Sequence, residues 1–145
     1  KLKWVNDIIL NDLKVGGILC ESQINLNNNI IDNMIVGIGI NVKEFDFPPR
    51  LKNIATSIEN NTNIKISRNE LISEIINFFD LYFVEKTNYI DLYKENSYVL
   101  GRDIKVIQND RQFFAKAIDI EDNGALIVQE QEKIIKLISS DISIR

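Results

Sequence analysis

Histidine is absent from this 145-residue sequence, and cysteine occurs only once, at position 20. Without histidine, the chain alone cannot supply the Ser-His or Cys-His pair of a hydrolase, or a histidine-ligated zinc ion. A single cysteine excludes a disulfide within the chain and favours a reducing compartment, so we expect a cytoplasmic protein. Catalysis would have to use lysine, arginine, carboxylates, tyrosine, backbone N–H groups or a borrowed metal ion.

Long hydrophobic runs are also missing. No apolar stretch approaches the ~18 residues that a membrane-spanning helix needs, and none follows the first residues as the core of a signal peptide would. The net charge of −4 argues against a surface that binds nucleic acid phosphates. We therefore expect neither a membrane nor a nucleic acid as a partner of this portion. A chain of 145 residues, 45% of them hydrophobic, is long enough for one domain or two small ones.

The first 96 residues combine strand and helix patterns. Residues 14–24 and 34–42 are rich in β-forming residues, and the second run is apolar enough to predict a buried strand. Ser67 and Glu70 fit a capping box, which predicts that a helix begins there. Apolar residues then recur at steps of three and four, so we expect the aromatic residues between positions 78 and 93 to belong to a helical core.

The last third of the sequence changes to short strands. Five β-rich pieces follow one another, at 103–108, 112–120, 125–129, 134–138 and 142–145. Strands of this length and spacing are typical of a small barrel. We place a domain boundary near Ser97, which gives domains 1–96 and 97–145. Together the two parts predict an α+β fold.

Three segments combine polar residues or glycines with these strands. They are Lys3-Trp4-Val5-Asn6-Asp7, Lys14-Val15-Gly16-Gly17-Ile18-Leu19 and Gly37-Ile38-Gly39-Ile40-Asn41. The Gly-x-Gly of the third segment is compatible with dinucleotide binding, but Val42 stands where the third glycine would be and no helix pattern follows. Each segment alone is a weak signal.

Taken together and in this order, the three segments resemble those of the biotin–protein ligase family. The family's Lys-Trp-Pro-Asn-Asp is matched except that Val5 replaces proline, and its Gly-Ile-Leu and Gly-x-Gly-Ile-Asn strands are matched. Residues 55–58 resemble an Ala-Thr-Ser-Leu piece of many members, and 124–126 and 141–145 resemble the family's C-terminal small barrel. The resemblance implies a class II synthetase-like mixed sheet with helices, followed by an SH3-like β-barrel.

One family feature is absent. The family's Gly- and Arg-rich loop, which closes over the adenylate, precedes the Lys-Trp segment, and this sequence contains no such loop. The sequence also begins without methionine, directly inside a strand pattern. We therefore expect it to be the C-terminal portion of a longer ligase, which holds part of the site and is inactive by itself.

The resemblance implies ATP-dependent attachment of biotin, through biotinyl-AMP, to a lysine of a biotin carboxyl carrier protein domain. Biotin, ATP and Mg²⁺ are the implied ligands, with the ion neutralising the pyrophosphate leaving group. Lys3 is the implied catalytic residue, because an ammonium group between the biotin carboxylate and the α-phosphate offsets their repulsion and stabilises the transition state.

The same resemblance implies two sets of binding residues, and assigns no residue to a metal. Apolar side chains would face the biotin ring and chain, glycines would leave room for a ligand, and amides would bond ribose or phosphate oxygens. The expected biotin contacts are Lys3, Ile8, Ile18, Gly37 and Ile40. The expected nucleotide contacts are Asn6, Gly39 and Asn41.

These residues also have structural interpretations. A lysine beside a tryptophan is commonly a surface residue, Asn6 and Asp7 are turn formers, and Asn41 at a strand end is a common cap. Two other functions stay open: a module that binds biotin or the carrier without catalysis, and a lipoate-type ligase of the same architecture. A Gly- and Arg-rich segment before Lys1 would favour the enzyme. An unpaired sheet edge would allow a homodimer.

Overall fold

The computed structural model describes residues 1–25, 30–62, 64–85, 89–108 and 111–144. They form two compact units. The first unit is Asn6–Arg68, and the second unit combines Lys1–Val5 with Asn69–Arg145. These units are defined by contacts, whereas the expected domains 1–96 and 97–145 are segments expected to fold independently. The division into those two domains stays a prediction.

Three antiparallel strands form the sheet of the first unit, and strand β1 (Leu2–Lys3) lies in the second. The three are β2 (Asp7–Leu10), β3 (Leu13–Asn25) and β4 (Ile30–Ile40). Asn11 and Asp12 connect β2 to β3 with φ angles of 48° and 64°. A two-residue hairpin turn between twisted strands requires this left-handed conformation, which asparagine and aspartate adopt more readily than other non-glycine residues.

Strand β4 confirms the strand expected at 34–42, but the expectation that it is buried is wrong. Its residues are exposed from Ile30 to Gly39, because nothing in the described part of the chain covers them. A continuous apolar run indicates burial only where a second layer packs on it. The apolar character of β4 therefore marks a surface rather than a core.

The chain after β4 returns to the sheet and pairs with it. A 3₁₀ turn (Pro49–Leu51) leads to a parallel bridge, in which the Lys14 N–H donates to the Ile54 carbonyl and the Thr56 N–H donates to the Lys14 carbonyl, both at 2.8 Å. Helix α1 (Ile58–Asn61) follows, and the Ser57 hydroxyl caps it by accepting from the Asn60 N–H at 3.1 Å.

Besides β1, the described residues of the second unit contain two helices and five strands. The helices are α2 (Arg68–Glu85) and α3 (Tyr89–Glu95). The strands are β5 (Asp103–Gln108), β6 (Arg111–Ile120), β7 (Leu126–Glu130), β8 (Lys133–Leu137) and β9 (Asp141–Ile144). They form one antiparallel sheet in the order β8-β7-β6-β5-β9. All five expected strands are confirmed, and their described ends agree to within one residue; Arg145, the expected end of the last strand, lies outside the described residues.

One apolar core holds the second unit together. Trp4, from the N-terminal segment, is 4% exposed and belongs to this core. Its other members come from the five strands and the chain around them: Val99, Ile104, Val106, Phe113, Ala115, Ala117, Ile120, Leu126, Val128, Leu137 and Ile142. Burial of this many apolar side chains, at roughly 1.5–3 kcal/mol for a large one, is the main stabilising contribution to the unit.

Helix α2 begins at Arg68, directly after Ser67, as the capping box predicts. The expectation that its aromatic residues form a helical core is wrong for Phe78, Phe79 and Tyr82, because nothing in the described chain covers them. The side chain of Phe83 lies outside what the structure describes. The apolar and aromatic side chains of α2 and of the start of α3 that are 40–64% exposed are Ile72, Ile76, Phe78, Phe79, Leu81, Tyr82 and Tyr89. Tyr93 of α3 does pack against the core of the second unit.

The described strand pairs are antiparallel, and two isolated bridges, Leu2 with Ser97 and Lys14 with Ala55, are parallel. Among the described residues, parallel pairing, which would make a sheet mixed, is thus limited to these two single bridges. No helix in the described ranges has the length and apolar content to cross a membrane.

Candidate ligand-binding site

A shallow cavity of about 410 Å³ lies on the sheet of the first unit. Strands β3 and β4 supply most of its walls, and the segment before β2 supplies one more residue. The lining residues are Asn6, Gly17, Ile18, Leu19, Gly37, Ile38 and Gly39.

Three glycines leave part of one face of the β3–β4 pair without side chains. Gly17 lies opposite Gly39, and Leu19 lies opposite Gly37. Residues opposite each other, or two apart on one strand, share a face of the sheet, so Gly17, Gly37 and Gly39 lie together on the face that Leu19 borders. The result is a flat stretch of backbone beside an apolar side chain.

The fold itself does not require glycine at positions 37 and 39. A β-carbon at Gly37 would lie 3.7 Å from its nearest neighbour, the Leu19 carbonyl oxygen, and one at Gly39 would lie 4.0 Å from the Gly17 carbonyl oxygen. Both are ordinary van der Waals contacts. Because packing does not explain these two glycines, the space above them is suited to a ligand.

Asn6 is fixed at the rim of the cavity by reciprocal bonds to β3. Its Nδ2 donates to the Ile18 carbonyl at 2.7 Å, and the Ile18 N–H donates to the Asn6 carbonyl at 2.9 Å. Asp7, the next residue, forms an ion pair with Lys14. The side-chain amide of Asn6 therefore has a defined position, and part of its hydrogen-bonding capacity already serves the fold.

Asn41 lies at the end of β4 and joins three segments. Its N–H donates to the Val15 carbonyl at 2.8 Å, and its carbonyl accepts from the Ile58 N–H at 2.9 Å. Its side-chain Nδ2 donates to the Thr56 carbonyl at 3.0 Å. One amide hydrogen of Nδ2 is thus used by the protein, which leaves the other and the Oδ1 oxygen for a ligand.

A nearly buried carboxylate, which sequence reasoning missed, holds the loop after β4. The Glu59 side chain is only 4% exposed. Its Oε1 accepts from the Lys43 Nζ at 2.9 Å and the Ile66 N–H at 3.3 Å, and its Oε2 accepts from the Glu44 N–H at 3.2 Å and the Lys65 Nζ at 3.3 Å. These donors, Lys43 above all, lower the pKa of Glu59 from 4.5 to about 2, against the opposing effect of burial.

No signal in the sequence could have identified Glu59. Lys43 lies sixteen residues before it, and the two meet only because the loop and helix α1 fold back on the end of β4. The N–H of Glu59 also donates to the Val42 carbonyl at 3.0 Å. This hub ties residues 42–44 and 65–66 to the start of α1.

The structure brings four of the predicted site residues into one cavity and leaves three others of the same unit outside it. Asn6, Ile18, Gly37 and Gly39 line the cavity. The predicted residues outside its lining are Ile8, Ile40 and Asn41. Ile8 of β2 and Ile40 of β4 both pair with Gly16 of β3, one on each side of that strand. The cavity residues that sequence reasoning missed are Gly17, Leu19 and Ile38, and only the cross-strand register could have revealed them.

Lys3 lies half-buried in β1, which belongs to the second unit. That unit has a cavity of its own, of about 470 Å³. Lys136 at this cavity forms an ion pair with Glu121, so its charge is compensated. Apart from Lys136, the lining residues are mostly apolar. They are Trp4, Val5, Ile90, Tyr93, Ile120, Asn123, Gly124, Ala125 and Ile138.

Comparison with known proteins identifies the family. Residues 1–41 match the Biotin/lipoate A/B protein ligase family, and residues 99–145 match the Biotin protein ligase C terminal domain. The chain is 37% identical to the bifunctional ligase/repressor BirA of Bacillus spizizenii over 99% of its own length. The chain belongs to the biotin protein ligase family.

This member of the family spans 46% of the Bacillus spizizenii protein, about half the length of the curated relatives that it matches. The biotin protein ligase of Aquifex aeolicus superposes with a TM-score of 0.81 at 26% identity, over 99% of this chain and 64% of that one. A structure of the Aquifex aeolicus ligase with biotin and ATP superposes with a TM-score of 0.75 at 25% identity, over 99% of this chain and 61% of that one. The expected α+β fold is confirmed.

The family match relates directly to the site. Every residue predicted to bind biotin or nucleotide falls within the matched residues 1–41, and strands β5 to β9 fall within 99–145. The described residues contain no group of three or more carboxylate or cysteine side chains that could hold a metal ion.

Proposed function

We propose that this member of the biotin protein ligase family takes part in ATP-dependent attachment of biotin to a lysine of a carrier protein domain. In the first step a biotin carboxylate oxygen attacks the α-phosphorus of ATP, biotinyl-AMP forms, and pyrophosphate leaves. In the second step the carrier's lysine amine attacks the biotinyl carbonyl carbon, an amide forms, and AMP leaves. The cavity above Gly17, Gly37 and Gly39 is the observation that carries the proposal.

The shape of this cavity suits biotin. A bicyclic ring with an alkyl chain needs a flat surface that it can approach closely, together with apolar side chains beside it. The three glycines supply the flat surface, and Leu19 supplies an apolar side chain on the same face. Ile18 and Ile38 also line the cavity, but they pair with each other one residue along, where side chains belong to the opposite face. Biotin and ATP are bound by the Aquifex aeolicus ligase, which supports the same two ligands here.

Lys3 is proposed to act in the first step. The biotin carboxylate and the α-phosphate are both anionic, so their approach is opposed by electrostatic repulsion. A lysine ammonium offsets this repulsion and stabilises the negative charge that accumulates on the phosphoryl oxygens in the transition state. Ile8 and Ile40 remain proposed biotin contacts with this lysine, although they lie outside the cavity lining.

Asn41 is proposed to bind the nucleotide together with Asn6 and Gly39. An amide can donate to a phosphate oxygen and accept from a ribose hydroxyl without adding charge to an anionic ligand. The bond from Asn41 to the Thr56 carbonyl fixes the direction of its side chain, so the remaining hydrogen and Oδ1 are pre-oriented. Magnesium would enter with ATP as the counter-ion of its phosphates, and we assign it no ligand in this chain.

Biotin, rather than lipoate, is supported by the C-terminal match. The model for residues 1–41 is shared by biotin and lipoate ligases, whereas the model for residues 99–145 is specific to biotin protein ligase. We accordingly propose a biotin carboxyl carrier domain as the acceptor and the cytoplasm as the location.

A homodimer through the edge of β4 is also proposed. Within the described sheet β4 pairs with β3 and forms the outer strand, and the side chains of Ile30, Ile35 and Ile38 on it are 42–67% exposed. A long apolar edge strand of this kind is a template for pairing with a second chain. Sedimentation of the protein at increasing concentration, with Ile35→Lys as the comparison, tests this arrangement.

Titration calorimetry with biotin tests the cavity. In a full-length ligase that carries this sequence, Gly37→Val would fill the space above the glycines and reduce biotin affinity at least tenfold, or ~1.4 kcal/mol. Val36→Ile is the matched control, because it adds one methylene to the neighbouring residue, on the opposite face of the same strand. Unchanged biotin affinity in Gly37→Val would remove the cavity from the proposal.

A further inference from the structure

The backbone immediately before Lys3 is fixed by the second unit. The Leu2 N–H donates to the Asn96 carbonyl at 2.8 Å, and the Tyr98 N–H donates to the Leu2 carbonyl at 2.7 Å. These two bonds form the parallel bridge between Leu2 and Ser97. Leu2 is therefore attached to the chain that follows α3, on both its donor and its acceptor side.

The residue immediately after Lys3 is fixed as well. The Trp4 indole packs in the core of the second unit, and its Nε1 donates to the Gly124 carbonyl at 2.8 Å. Gly124 has a φ of 82°, a left-handed turn conformation in which glycine is favoured, and it lies between β6 and β7. Lys3 is thus held between Leu2, which is bonded to the chain after α3, and Trp4, which packs in the core formed largely by strands β5 to β9.

Tyr93 supplies the third attachment. Its hydroxyl donates to the Val5 carbonyl at 3.2 Å, while its ring packs against the core. Burial raises the pKa of Tyr93 to about 12, so the hydroxyl stays protonated and able to donate throughout the neutral range. The next residue of α3, Lys94, forms an ion pair of 2.7 Å with Asp119 of β6, which fixes the helix that carries Tyr93.

We propose that Tyr93 is a positioning residue for Lys3, acting through its hydrogen bond to the Val5 carbonyl. The inference rests on the proposed role of Lys3 in adenylate formation. An ammonium stabilises a transition state only if it lies where the charge develops, and a displacement of about 1 Å can cost 10²-fold in rate. A lysine side chain is long and flexible, so the position of its α-carbon is what the protein can fix.

The ring and the hydroxyl of Tyr93 have separable contributions. The ring contributes packing, which phenylalanine retains, whereas the hydroxyl contributes the bond to Val5. Tyr93→Phe therefore removes the attachment and keeps the core. Tyr89→Phe is the matched control, because Tyr89 is on the same helix, four residues earlier, and its side chain is 64% exposed.

Hydrogen exchange in the full chain tests the attachment independently of any activity. Tyr93→Phe is expected to speed the exchange of the Leu2 and Tyr98 amides and of the Trp4 indole N–H about three- to tenfold, as loss of one hydrogen bond implies. The indole signal is unambiguous, since the sequence has one tryptophan. Tyr89→Phe is expected to change none of them. Equal exchange in both variants would overturn the proposal.

Kinetics in a full-length ligase that carries this sequence test the purpose of the attachment. Tyr93→Phe is expected to lower the kcat of biotin-dependent pyrophosphate exchange about three- to tenfold, with KM for ATP and biotin changed less than about twofold. In a Lys3→Ala background the same substitution should cause no further loss, because the two residues act as one unit. Additive losses would show that Tyr93 acts on stability alone. A different outcome separates this proposal from the proposed function. If Tyr93→Phe changed hydrogen exchange as expected but the unsubstituted full-length protein had no ligase activity, the proposed function of Lys3 would be refuted and the attachment would stand.

Discussion

Gly16 lies so close to the carbonyl oxygen of Gly39, across the β3–β4 pair, that a β-carbon at position 16 would overlap that oxygen. Its next nearest neighbour would be the Ile40 α-carbon at 3.3 Å, so the obstruction is backbone and not a movable side chain. This glycine, unlike those at 37 and 39, is therefore required by packing.

We expect Gly16→Ala to destabilise the first unit by about 1–3 kcal/mol, the range typical of overpacking. Gly37→Ala is the control, because its β-carbon would meet only the Leu19 oxygen at 3.7 Å, and we expect a much smaller effect on unfolding. Urea denaturation of the two variants measures the difference. If the urea midpoint of Gly16→Ala equalled that of the parent chain, Gly16 and the Gly39 carbonyl could not be in such close contact.

Lys3→Ala is expected to slow adenylate formation far more than it weakens ATP binding. The loss should be about 2–4 kcal/mol, the range seen when one electrostatic stabiliser of a transition state is deleted. Lys3→Arg should restore only part of the rate, because a planar guanidinium replaces a compact ammonium. Biotin-dependent pyrophosphate exchange in a full-length ligase is the measurement, and an unchanged rate in Lys3→Ala would exclude the assignment.

The second unit shows how much of a fold local sequence patterns can predict. Strands β5 to β9 follow from β-rich runs separated by turn residues such as Asp122-Asn123-Gly124, and Gly124 has the positive φ that such a turn needs. Burial was predicted less well. The apolar patterns of β4 and α2 are present in the sequence, but a pattern does not say whether a partner surface lies opposite it.

Prediction of the cavity was limited by cross-strand register. Ile8 is apolar and directly follows the first motif, and Ile40 lies within the third, but their pairing with Gly16 puts both on the face opposite to Gly17. Gly17 lines the cavity because it lies opposite Gly39, a relationship that neither segment contains alone. Motifs thus located the strands, and only pairing assigned residues to a face.

The carboxylate of Glu59 is expected to make stability depend on acid pH. Its pKa in the folded protein is about 2, below the ordinary value of 4.5, because Lys43 and three further donors favour the charged form. The stability that it contributes is therefore fully present above pH 4.5 and is lost as the pH falls towards 2. Glu59→Gln should unfold at a lower temperature at pH 7, and the difference from the parent should narrow across this window.

Thermal unfolding as a function of pH checks the role of Glu59, with Glu44→Gln as the matched control. The Glu44 carboxylate belongs to the same cluster but is 75% exposed, whereas its backbone N–H is the group that bonds Glu59. We expect the control to leave the profile nearly unchanged. A parent profile that is flat between pH 5 and pH 2, or a control that behaves like Glu59→Gln, would contradict the role of this hub.

Substitution of Asn41 by aspartate has two effects that both weaken its contact with Thr56: loss of a hydrogen bond and addition of a negative charge. Asn41→Ala removes the bond from Nδ2 to the Thr56 carbonyl, whereas Asn41→Asp also places a carboxylate oxygen against that carbonyl, which lies 3.0 Å from Nδ2 in the parent protein. The aspartate is therefore expected to loosen the connection between β4 and α1 more than the alanine does. The difference between the two variants should shrink on acidification, as the carboxylate becomes protonated and can donate.

Nucleotide binding is expected to follow the same order, with Asn41→Asp weaker than Asn41→Ala, because a negative charge repels the phosphates in addition to the loss of the amide. Biotin affinity measured without nucleotide should change less than about tenfold, or ~1.4 kcal/mol, in either variant. Calorimetric titration of ATP and biotin into a full-length ligase separates the two ligands. If biotin binding were lost while ATP binding persisted, Asn41 would belong to the biotin site, and the nucleotide would have to lie away from the end of β4.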